Sequence, residues 1–378
     1  MKTKLKICFV ATVDAAITSF LANHLRQFAK LYDLTVITNN SNPNFLSEIG
    51  VDANLIKIKF SRKIALFTDF YCLIKLVQIF MKNRFASVYS ITPKAGFLGM
   101  LAARICFIPA RVHTFTGQVW ATETGSTRSF LKFIDRLVGK MTTHNFVDSL
   151  SQRNFLVQQN VLSEQKSIVF GSGSVSGVDL KRFKPHRKVF VDVRVQLSIP
   201  ENAFIFTYLG RLNKDKGVLD LAYAFSKIQT KKAFLLIVGQ DENNFGNEIK
   251  KINKHKSLQI RIVSFTNRPE DYLAASDALC LPSYREGFGN VIIEAAATGI
   301  PAIASNIYGI SDAIINKKTG ILHQPKNVKA IISAMQNFLK NPKLVRRYGR
   351  AAKKRVETEF DEKKMSKYWL DFYQAKLK

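Results

Sequence analysis

Two glutamates, Glu286 and Glu294, flank a glycine-rich turn in the segment REGFGNVIIEAAATG, which begins at Arg285. The apolar residues after the turn predict a helix over 290–298, with Asn290 as its N-cap and Gly299 just past its end. The free N–H groups at such a helix start form an anion site, and glycines let a phosphate approach closely. Carboxylates, in contrast, accept hydrogen bonds from hydroxyl groups. A nucleotide sugar fits this pattern, with one glutamate on the sugar and the other on the ribose.

A basic pair that could neutralise the diphosphate occurs in GRLNKDKG, residues 210–217. Arg211 can bind a phosphate through two parallel hydrogen bonds, and Lys216 adds a point charge. A solvated turn would explain this segment if it stood alone. Beside the glutamate–glycine loop, the phosphate-binding interpretation is favoured.

Short apolar strands alternate with amphipathic helices in both halves of the chain, which predicts an α/β protein with two doubly wound parallel sheets. A stretch of small residues at 171–185 predicts a linker. We therefore expect domains at 1–175 and 176–360, with ligands at the carboxyl ends of strands and in a cleft between the domains. The predicted strands are 5–10, 34–38, 88–91, 111–115, 204–209, 234–238, 259–263, 278–281 and 302–305, and the predicted helices include 17–31, 218–228, 269–275 and 290–298.

The chain of 378 residues is strongly basic, with 57 Lys and Arg against 28 Asp and Glu, a net charge of +29. This charge indicates an anionic partner, which could be nucleic acid, anionic lipid or a phosphorylated substrate. The basic residues are spread over both halves and form no recognised nucleic-acid-binding module, so we expect no nucleic acid partner. A steep salt dependence of RNA or DNA binding would revive that alternative.

Cysteine and metal chemistry are not indicated. Cys8, Cys72, Cys106 and Cys280 are scattered in apolar contexts, which predicts buried free thiols in a reducing, cytoplasmic compartment. The brief apolar run after the basic start predicts a first strand and not a signal peptide. Without an Asp-x-Asp motif or a Cys/His cluster, we expect no metal and no cofactor besides the donor substrate.

The motifs EGFGNVIIE, GRLNKDKG, DALCLPS and GVDLKRFKP, taken in order, resemble those of the retaining glycosyltransferases of family 4. The segment HTFTGQVW is further similar to capsule and O-antigen members. The resemblance implies a GT-B fold, two Rossmann-like domains facing across a cleft. It also implies transfer of a hexose or N-acetylhexosamine from a nucleotide sugar, with UDP favoured, to a polyprenyl-diphosphate-linked sugar or another saccharide. Such an enzyme would associate peripherally with the anionic cytoplasmic face of the inner membrane.

The resemblance also implies roles for individual residues. Glu286 would bind the donor hexose, Glu294 the ribose, and Arg211 with Lys216 the diphosphate. A histidine near the transferred sugar corresponds to His113, for which a hydrogen-bonded core histidine is the alternative. The first loop, ATVDAAITSF, lacks the glycines frequent in relatives, which leaves Asp14 and Thr18 as candidates for acceptor or phosphate contact. Further donor contacts would come from the backbone of the glycine loop and of the loop after strand 259–263, at Gly287, Phe288, Gly289, Asn290, Val291 and Phe265.

The expected reaction retains the anomeric configuration without a metal. Glu286 is the one obvious nucleophile, and it is assigned to sugar hydroxyls. We therefore expect same-face attack by the acceptor hydroxyl, assisted by the departing phosphate. A nucleotide-sugar epimerase of the same fold is the alternative enzyme, although no convincing acid–base pair for it is present.

Two further segments bear on membrane contact and domain packing. Residues 60–85 are aromatic-rich and have basic residues at both ends, including Arg62, Lys63, Lys82 and Arg84. They predict either a buried helix or an interfacial helix that meets anionic lipid. By resemblance, a last helix at about 361–378 packs back on the first domain. The proposed apolar face of the first segment consists of Ile64, Phe67, Tyr71, Ile74, Val77 and Met81.

Overall fold

The computed structural model describes residues 4–40, 42–61 and 64–377, with the backbone alone at 256–258. The chain forms two compact units. One consists of Met1–Ser176 together with Glu362–Lys378, and the other of Gly177–Asp361. The division between Ser176 and Gly177 falls inside the small-residue segment 171–185.

The first unit contains a seven-stranded sheet with the order β3-β2-β1-β4-β5-β6-β7, in which all neighbouring strands are parallel. The predicted strands are confirmed with small changes of their ends. Sequence patterns did not indicate β3, β6 and β7, because β3 has no fully buried residue, β6 begins with two polar residues and β7 has only two residues. The strands are β1 (Lys6–Val13), β2 (Asp33–Asn39), β3 (Asn54–Lys57), β4 (Ser87–Ile91), β5 (Ala110–Phe115), β6 (His144–Val147) and β7 (Ser167–Ile168).

Helices cover both faces of this sheet. Ile7 and Phe9 belong to one buried cluster, and the alternate residues Cys8 and Val10 belong to another. The predicted helix 17–31 is wrong in detail, because a π-helical turn at Ile17–Leu21 interrupts it. The helices are α1 (Asp14–Ala16), α2 (Ala22–Phe28), α3 (Phe45–Glu48), α4 (Leu66–Asn83), α5 (Pro93–Ile105), α6 (Gly125–Met141) and α7 (Leu150–Gln158).

The second unit contains a parallel six-stranded sheet with the order β10-β9-β8-β11-β12-β13. Three of its strands have the bounds that the sequence predicts. The elements are α8 (Arg187–Gln196), β8 (Phe204–Leu209), α9 (Val218–Ser226), β9 (Ala233–Val238), α10 (Phe245–Ile252), β10 (Ile260–Val263), α11 (Pro269–Ala274), β11 (Ala278–Leu281), α12 (Asn290–Ala297), β12 (Ala302–Ser305), α13 (Ile310–Ala313), β13 (Gly320–His323), α14 (Val328–Lys340) and α15 (Pro342–Glu359).

The last helix, α16 (Glu362–Lys376), belongs to the first unit. Its Trp369 is fully buried and stacks on His24 of α2, with ring centroids 4.2 Å apart. His24 also contacts the Val175 carbonyl oxygen at 2.8 Å and the Ser366 hydroxyl at 2.9 Å. Aromatic packing and hydrogen bonds thus fix this helix against α2.

The cysteines are free thiols; Cys8, Cys72 and Cys280 are buried and Cys106 is half-buried. Within the described ranges, none of the helices combines the length and the apolar character that a membrane crossing requires.

Candidate functional site

The switch point of the second sheet lies between β8 and β11. From β8 the strand order runs outward through β9 and β10, and from β11 it runs the other way through β12 and β13. The loops at the carboxyl ends of β8 and β11 therefore lie side by side, which is where doubly wound sheets bind ligands. The first loop carries Arg211 and Lys216, and the second carries Glu286. The structure thus brings together the two motifs that the sequence singled out.

Glu286 is held by both loops. Its Oε1 accepts a hydrogen bond of 2.8 Å from the Ser283 hydroxyl and lies 2.6 Å from Lys216 Nζ. Only 13% of the Glu286 side chain and 20% of the Lys216 side chain are exposed. In this setting the carboxylate can release the ammonium group and bind a sugar hydroxyl. The ammonium group can then bind a phosphate oxygen.

Arg211 extends from the same loop and is exposed. Its guanidinium donates to both carboxylate oxygens of Glu242, at 2.9 and 3.2 Å. Glu242 also accepts a hydrogen bond of 2.9 Å from the Asn213 side chain. Glu242 comes from the loop after β9, the strand next to β8.

The start of α12 differs from the expectation in one respect. Gly289, and not Asn290, is the N-cap; its φ of 79° lies in the left-handed region, and Asn290 is the first helical residue. A glycine fits because a Cβ is disfavoured at this φ. Phe288 is buried and packs against Phe360, with ring centroids 5.3 Å apart. Phe288 can therefore offer a ligand its backbone but not its ring, while Val291 is half-buried.

Glu294 lies on the second turn of α12. Its carboxyl forms no hydrogen bond to any residue that the structure describes. Burial raises the pKa of Glu294 to about 7, although the nearby Arg182 guanidinium acts in the opposite direction. Arg182 is itself paired with Glu270 at 2.8 Å. A carboxyl group that lacks protein partners retains its full capacity to accept hydrogen bonds from ligand hydroxyls.

Phe265 lies in the loop after β10, and 70% of its surface is exposed. The adjoining loop is tied to the residues near Glu294, because Arg182 donates to the Asn267 carbonyl oxygen at 2.8 Å. Phe265 is thus available for contact with a ligand, and its role stays a prediction.

In the first unit, His113 on β5 is 4% exposed. Its Nδ1 lies 2.8 Å from the Ser90 hydroxyl, and its ring packs edge-on against Phe115. Burial lowers the pKa of His113 to about 3, so the ring is neutral at physiological pH. These contacts are those of the alternative named for this residue, a hydrogen-bonded core histidine, and its catalytic role stays a prediction.

Asp14 and Thr18 follow β1, at the switch point of the first sheet between β1 and β4. The Asp14 carboxylate accepts from the Ala15 N–H at 2.8 Å, and the Thr18 hydroxyl donates to the Asp14 carbonyl oxygen at 3.3 Å. At the end of β4, Thr92 has a φ of 80° and its hydroxyl lies 2.7 Å from that of Thr12. A β-branched residue at positive φ is strained, and such strain concentrates at functional sites.

Several site residues were missed by sequence reasoning, namely Asp215, Ser283, Tyr284, Arg285 and Glu242. Four of them lie inside or next to the motifs, so their proximity to Lys216 and Glu286 was an available signal. Glu242 follows β9, whose pairing with β8 is known from the structure and was not predicted from the sequence. Over the residues that the structure covers, no group of three or more His, Cys, Asp or Glu side chains could hold a metal ion.

Comparison with known protein families matches both halves of the chain. The model "Glycosyl transferase 4-like" matches residues 6–155, and "Glycosyl transferases group 1" matches residues 191–355. The chain is 30% identical over 311 residues to the capsular polysaccharide biosynthesis glycosyltransferase CapM of Staphylococcus aureus, covering 82% of this chain and 81% of CapM. It is 28% identical over 315 residues to the UDP-Gal:alpha-D-GlcNAc-diphosphoundecaprenol alpha-1,3-galactosyltransferase of Escherichia coli, covering 80% and 79% of the two chains.

Solved structures show the same fold at lower identity. The crystal structure of Anabaena Alr3699/HepE in complex with UDP and glucose has a TM-score of 0.82 and 17% identity, covering 98% of this chain and all of the other. WaaG, a glycosyltransferase involved in lipopolysaccharide biosynthesis, has a TM-score of 0.76 and 15% identity, covering 97% and 99%. With both halves matched to glycosyltransferase models and CapM matched along most of its length, this chain belongs to the family 4 glycosyltransferases and has their GT-B fold.

Proposed function

We propose that this glycosyltransferase moves a hexose or N-acetylhexosamine from a UDP-sugar to a lipid-linked saccharide during synthesis of a bacterial surface polysaccharide. The relatives support this: the Escherichia coli enzyme is named for a UDP-galactose donor and a diphosphoundecaprenol-linked acceptor, and CapM for capsular polysaccharide. A relative from Campylobacter jejuni, 24% identical over 302 residues, is also named for a diphospho-undecaprenol acceptor. Family membership favours transfer over the epimerase and nucleic-acid alternatives.

The observation that carries the proposal is the contact of Lys216 with Glu286 at the switch point of the second sheet. One group suits a phosphate and the other a sugar hydroxyl, and they are 2.6 Å apart in the free protein. A bound UDP-sugar would place its diphosphate by Lys216, Arg211 and the start of α12, and its sugar hydroxyls by Glu286. Glu294 would accept hydrogen bonds from the ribose, because its carboxyl has no hydrogen-bond partner among the residues that the structure describes.

The proposed chemistry retains the anomeric configuration and uses no metal. The acceptor oxygen bonds to the anomeric carbon on the face from which the diphosphate leaves. The bond between the anomeric carbon and the phosphate oxygen breaks, and the proton of the acceptor hydroxyl passes to the departing phosphate. Arg211, Lys216 and the N–H groups at the start of α12 stabilise the negative charge of the leaving UDP. Glu286 orients the sugar and does not attack it.

Peripheral membrane contact is part of the proposal, and the exposed face of α4 supports it. This helix buries Cys72, Leu76 and Phe80 in a core cluster that also contains residues of β1, β2 and β4. The face proposed for lipid is largely exposed, with Phe67 at 95% and Met81 at 67%, but its Val77 is half-buried and packs against the core. A large apolar surface of this kind indicates an interaction site. Arg62 and Lys63, named with this face, lie outside the described residues.

A basic groove of about 770 Å³ runs between α4 and the edge strand β3. Lys57 and Lys59 line one side, and Lys75 and Lys82 line the other. None of these four lysines forms an ion pair with a residue that the structure describes. Uncompensated positive charge beside an exposed apolar face is the combination that favours anionic lipid surfaces.

Nucleotide-dependent stabilisation tests the donor assignment. Thermal unfolding is measured with UDP, GDP, ADP and no nucleotide, on the wild type and on Glu294→Ala. A ligand at about 100 times its Kd raises the free energy of unfolding by about 2.7 kcal/mol. We expect this shift with UDP, and a much smaller one in the variant. The absence of a shift with any nucleotide would remove the donor site from the second unit.

Product analysis tests the chemistry. With a UDP-sugar of α configuration, NMR of the product should show an α linkage, and EDTA should leave the rate unchanged. A β linkage would overturn same-face attack. Loss of activity in EDTA, restored by a divalent cation, would overturn the metal-independent mechanism.

A further inference from the structure

We propose that Asp215 and Arg285 are positioning residues that hold the two donor-binding loops together at a fixed separation. The proposal deepens the proposed function, because it concerns how Lys216 and Glu286 are presented to a donor. Neither residue is assigned a contact with the donor. They act through their neighbours in the chain, one step before Lys216 and one step before Glu286.

The two loops meet in consecutive ion pairs of opposite polarity. Asp215 Oδ2 lies 2.6 Å from an Arg285 guanidinium nitrogen, and Lys216 Nζ lies 2.6 Å from Glu286 Oε1. Residues 215 and 216 of one loop therefore match residues 285 and 286 of the other. The Arg285 and Asp215 side chains are 18% and 34% exposed, so the first pair is also largely shielded from water.

Backbone contacts strengthen the same junction. The Tyr284 N–H donates to the Asp215 carbonyl oxygen at 2.8 Å, so Asp215 binds the second loop through both its main chain and its side chain. The Tyr284 hydroxyl donates to Asp220 Oδ2 at 2.8 Å. At Gly217 a Cβ would lie 2.2 Å from the Pro282 carbonyl oxygen, so the close approach of the loops requires glycine there.

Strand pairing alone does not determine this separation. Between β8 and β11 only two residue pairs are in register, Ala278 with Phe206 and Leu279 with Thr207. Both pairs lie within the strands, before the loops begin, and residues 280–286 follow the last residue of β11 that pairs with β8. Side-chain and backbone contacts between the loops must therefore fix where Lys216 and Glu286 lie.

Donor binding explains why a second ion pair between the loops is needed. When a diphosphate engages Lys216 and a hydroxyl engages Glu286, the ion pair between these residues is weakened or lost. The Asp215–Arg285 pair then keeps the loops joined while the site is occupied. Since misplacement of a binding group by about 1 Å is costly in enzymes, a second pair of this kind preserves the geometry that the reaction needs.

Charge reversal with rescue tests the proposal. The variants are Asp215→Arg, Arg285→Asp and the double exchange. The matched control is the exchange of Arg187 and Glu201, an exposed ion pair on the amino-end side of β8. Two quantities are measured in each protein: hydrogen exchange of the Tyr284 amide, and the Kd for UDP.

Each single reversal should speed exchange at Tyr284 and weaken UDP binding by about tenfold or more, and the double exchange should recover most of both losses. The control exchange should change neither. The proposal is overturned if the single variants keep the wild-type hydrogen-exchange rate at Tyr284. It is also overturned if the double variant folds with a wild-type Tm but does not recover that rate. A wild type that binds no UDP would contradict the proposed function, and the exchange data would still decide the role of the pair.

Discussion

Lys216 Nζ and Glu286 Oε1 lie 2.6 Å apart across two loops that belong to different motifs, separated by 70 positions in the chain. The pair joins a group suited to phosphate with a group suited to hydroxyls before any ligand is present. Because both side chains are mostly shielded from water, removing one leaves the other as a poorly compensated charge. If the proposed function holds, the same contact affects both stability and donor binding, and the two effects can be separated.

A pair of variants makes that separation. Lys216→Met should lower the free energy of unfolding by about 1 to 3 kcal/mol, because Glu286 loses its cation. The double variant Lys216→Met with Glu286→Gln removes both charges and should recover most of that loss. UDP affinity should fall in the single variant and stay low in the double variant. Calorimetry and UDP titration measure the two effects, and recovery of UDP affinity in the double variant would contradict a direct role of Lys216 in phosphate binding.

The carboxyl of Glu294 predicts an unusual pH dependence. Its pKa is raised to about 7 in the folded protein, mainly by burial, from an ordinary value of 4.5. The folded state therefore holds this proton more tightly than the unfolded state, and stability falls as the pH rises from about 4.5 to 7. Above pH 7 the carboxylate is ionised in both the folded and the unfolded state, and the loss of stability caused by burying its charge is complete.

Glu294→Gln removes this titration while keeping the size of the side chain. The variant and the wild type should have similar Tm values near pH 4, where both side chains are neutral. At pH 8 the variant should be more stable by about 1 to 3 kcal/mol. Glu248→Gln, at an exposed position of α10, is the control and should show no such trend. A Tm difference that does not depend on pH would show that the carboxyl titrates normally.

The amino-acid sequence predicted the fold well because its signals are local. Strands β8, β11 and β12 are short apolar runs ended by turn residues, and their bounds were predicted without error. The interruption of the first long helix by a π-helical turn was missed. The apolar spacing of Ile17, Leu21 and Leu25 is compatible with a regular helix, and all three are buried.

For the site, the sequence indicated the residue types but not their pairing. Arg211 and Lys216 were predicted to bind the diphosphate, but nothing in the sequence indicated that Glu242 and Glu286 pair with them. Such pairs form between loops that follow different strands, and a single sequence does not show which residues of two loops lie side by side. The N-cap was misassigned for a related reason, since Asn290 is a good cap by type but the backbone turns one residue earlier, at Gly289.

Glu242 should compete with the donor for Arg211. Its carboxylate accepts two hydrogen bonds from the guanidinium, and its negative charge would lie near a bound diphosphate. Glu242→Gln keeps an acceptor for Arg211 and removes the charge. We expect the Kd for UDP to fall by about three- to tenfold at low salt, with a smaller effect at high salt. Titrations at two ionic strengths measure this. A higher Kd in the variant would indicate that the charge of Glu242 positions Arg211 and does not oppose the ligand.

Membrane contact through α4 predicts separate effects for its apolar and basic residues. The double variant Phe67→Ser and Phe70→Ser should abolish most binding to vesicles that contain phosphatidylglycerol, because both rings are exposed and would lose insertion into lipid. Lys75→Glu with Lys82→Glu should weaken binding most at low salt, since each basic residue near an anionic surface contributes about 1 kcal/mol. Val195→Ser, an exposed apolar residue of the second unit, is the control. Cosedimentation that is unchanged in both double variants would place membrane contact elsewhere.

The buried position of His113 leads to a prediction about two glycines of α5. A Cβ on Gly96 would lie 2.4 Å from His113 Cε1, whereas a Cβ on Gly99, one turn later, would meet its nearest neighbour at 3.8 Å. The imidazole cannot move away freely, because Ser90 and Phe115 hold it. Gly96→Ala should therefore lower the free energy of unfolding by about 1 to 3 kcal/mol. Gly99→Ala should raise it by up to about 1 kcal/mol, since alanine favours the helix.

His113→Gln, compared with Gly96→Ala, examines whether His113 acts in catalysis or in packing. If the ring is a core group, His113→Gln should lower the Tm, through loss of packing, as Gly96→Ala does. UDP affinity, which the proposed function assigns to the second unit, should stay at the wild-type value in both variants. If instead His113→Gln keeps the wild-type Tm and lowers kcat by about a hundredfold or more, the imidazole acts on the transferred sugar. In that case the ring must become accessible during turnover, and Gly96→Ala, which crowds it, should lower kcat as well.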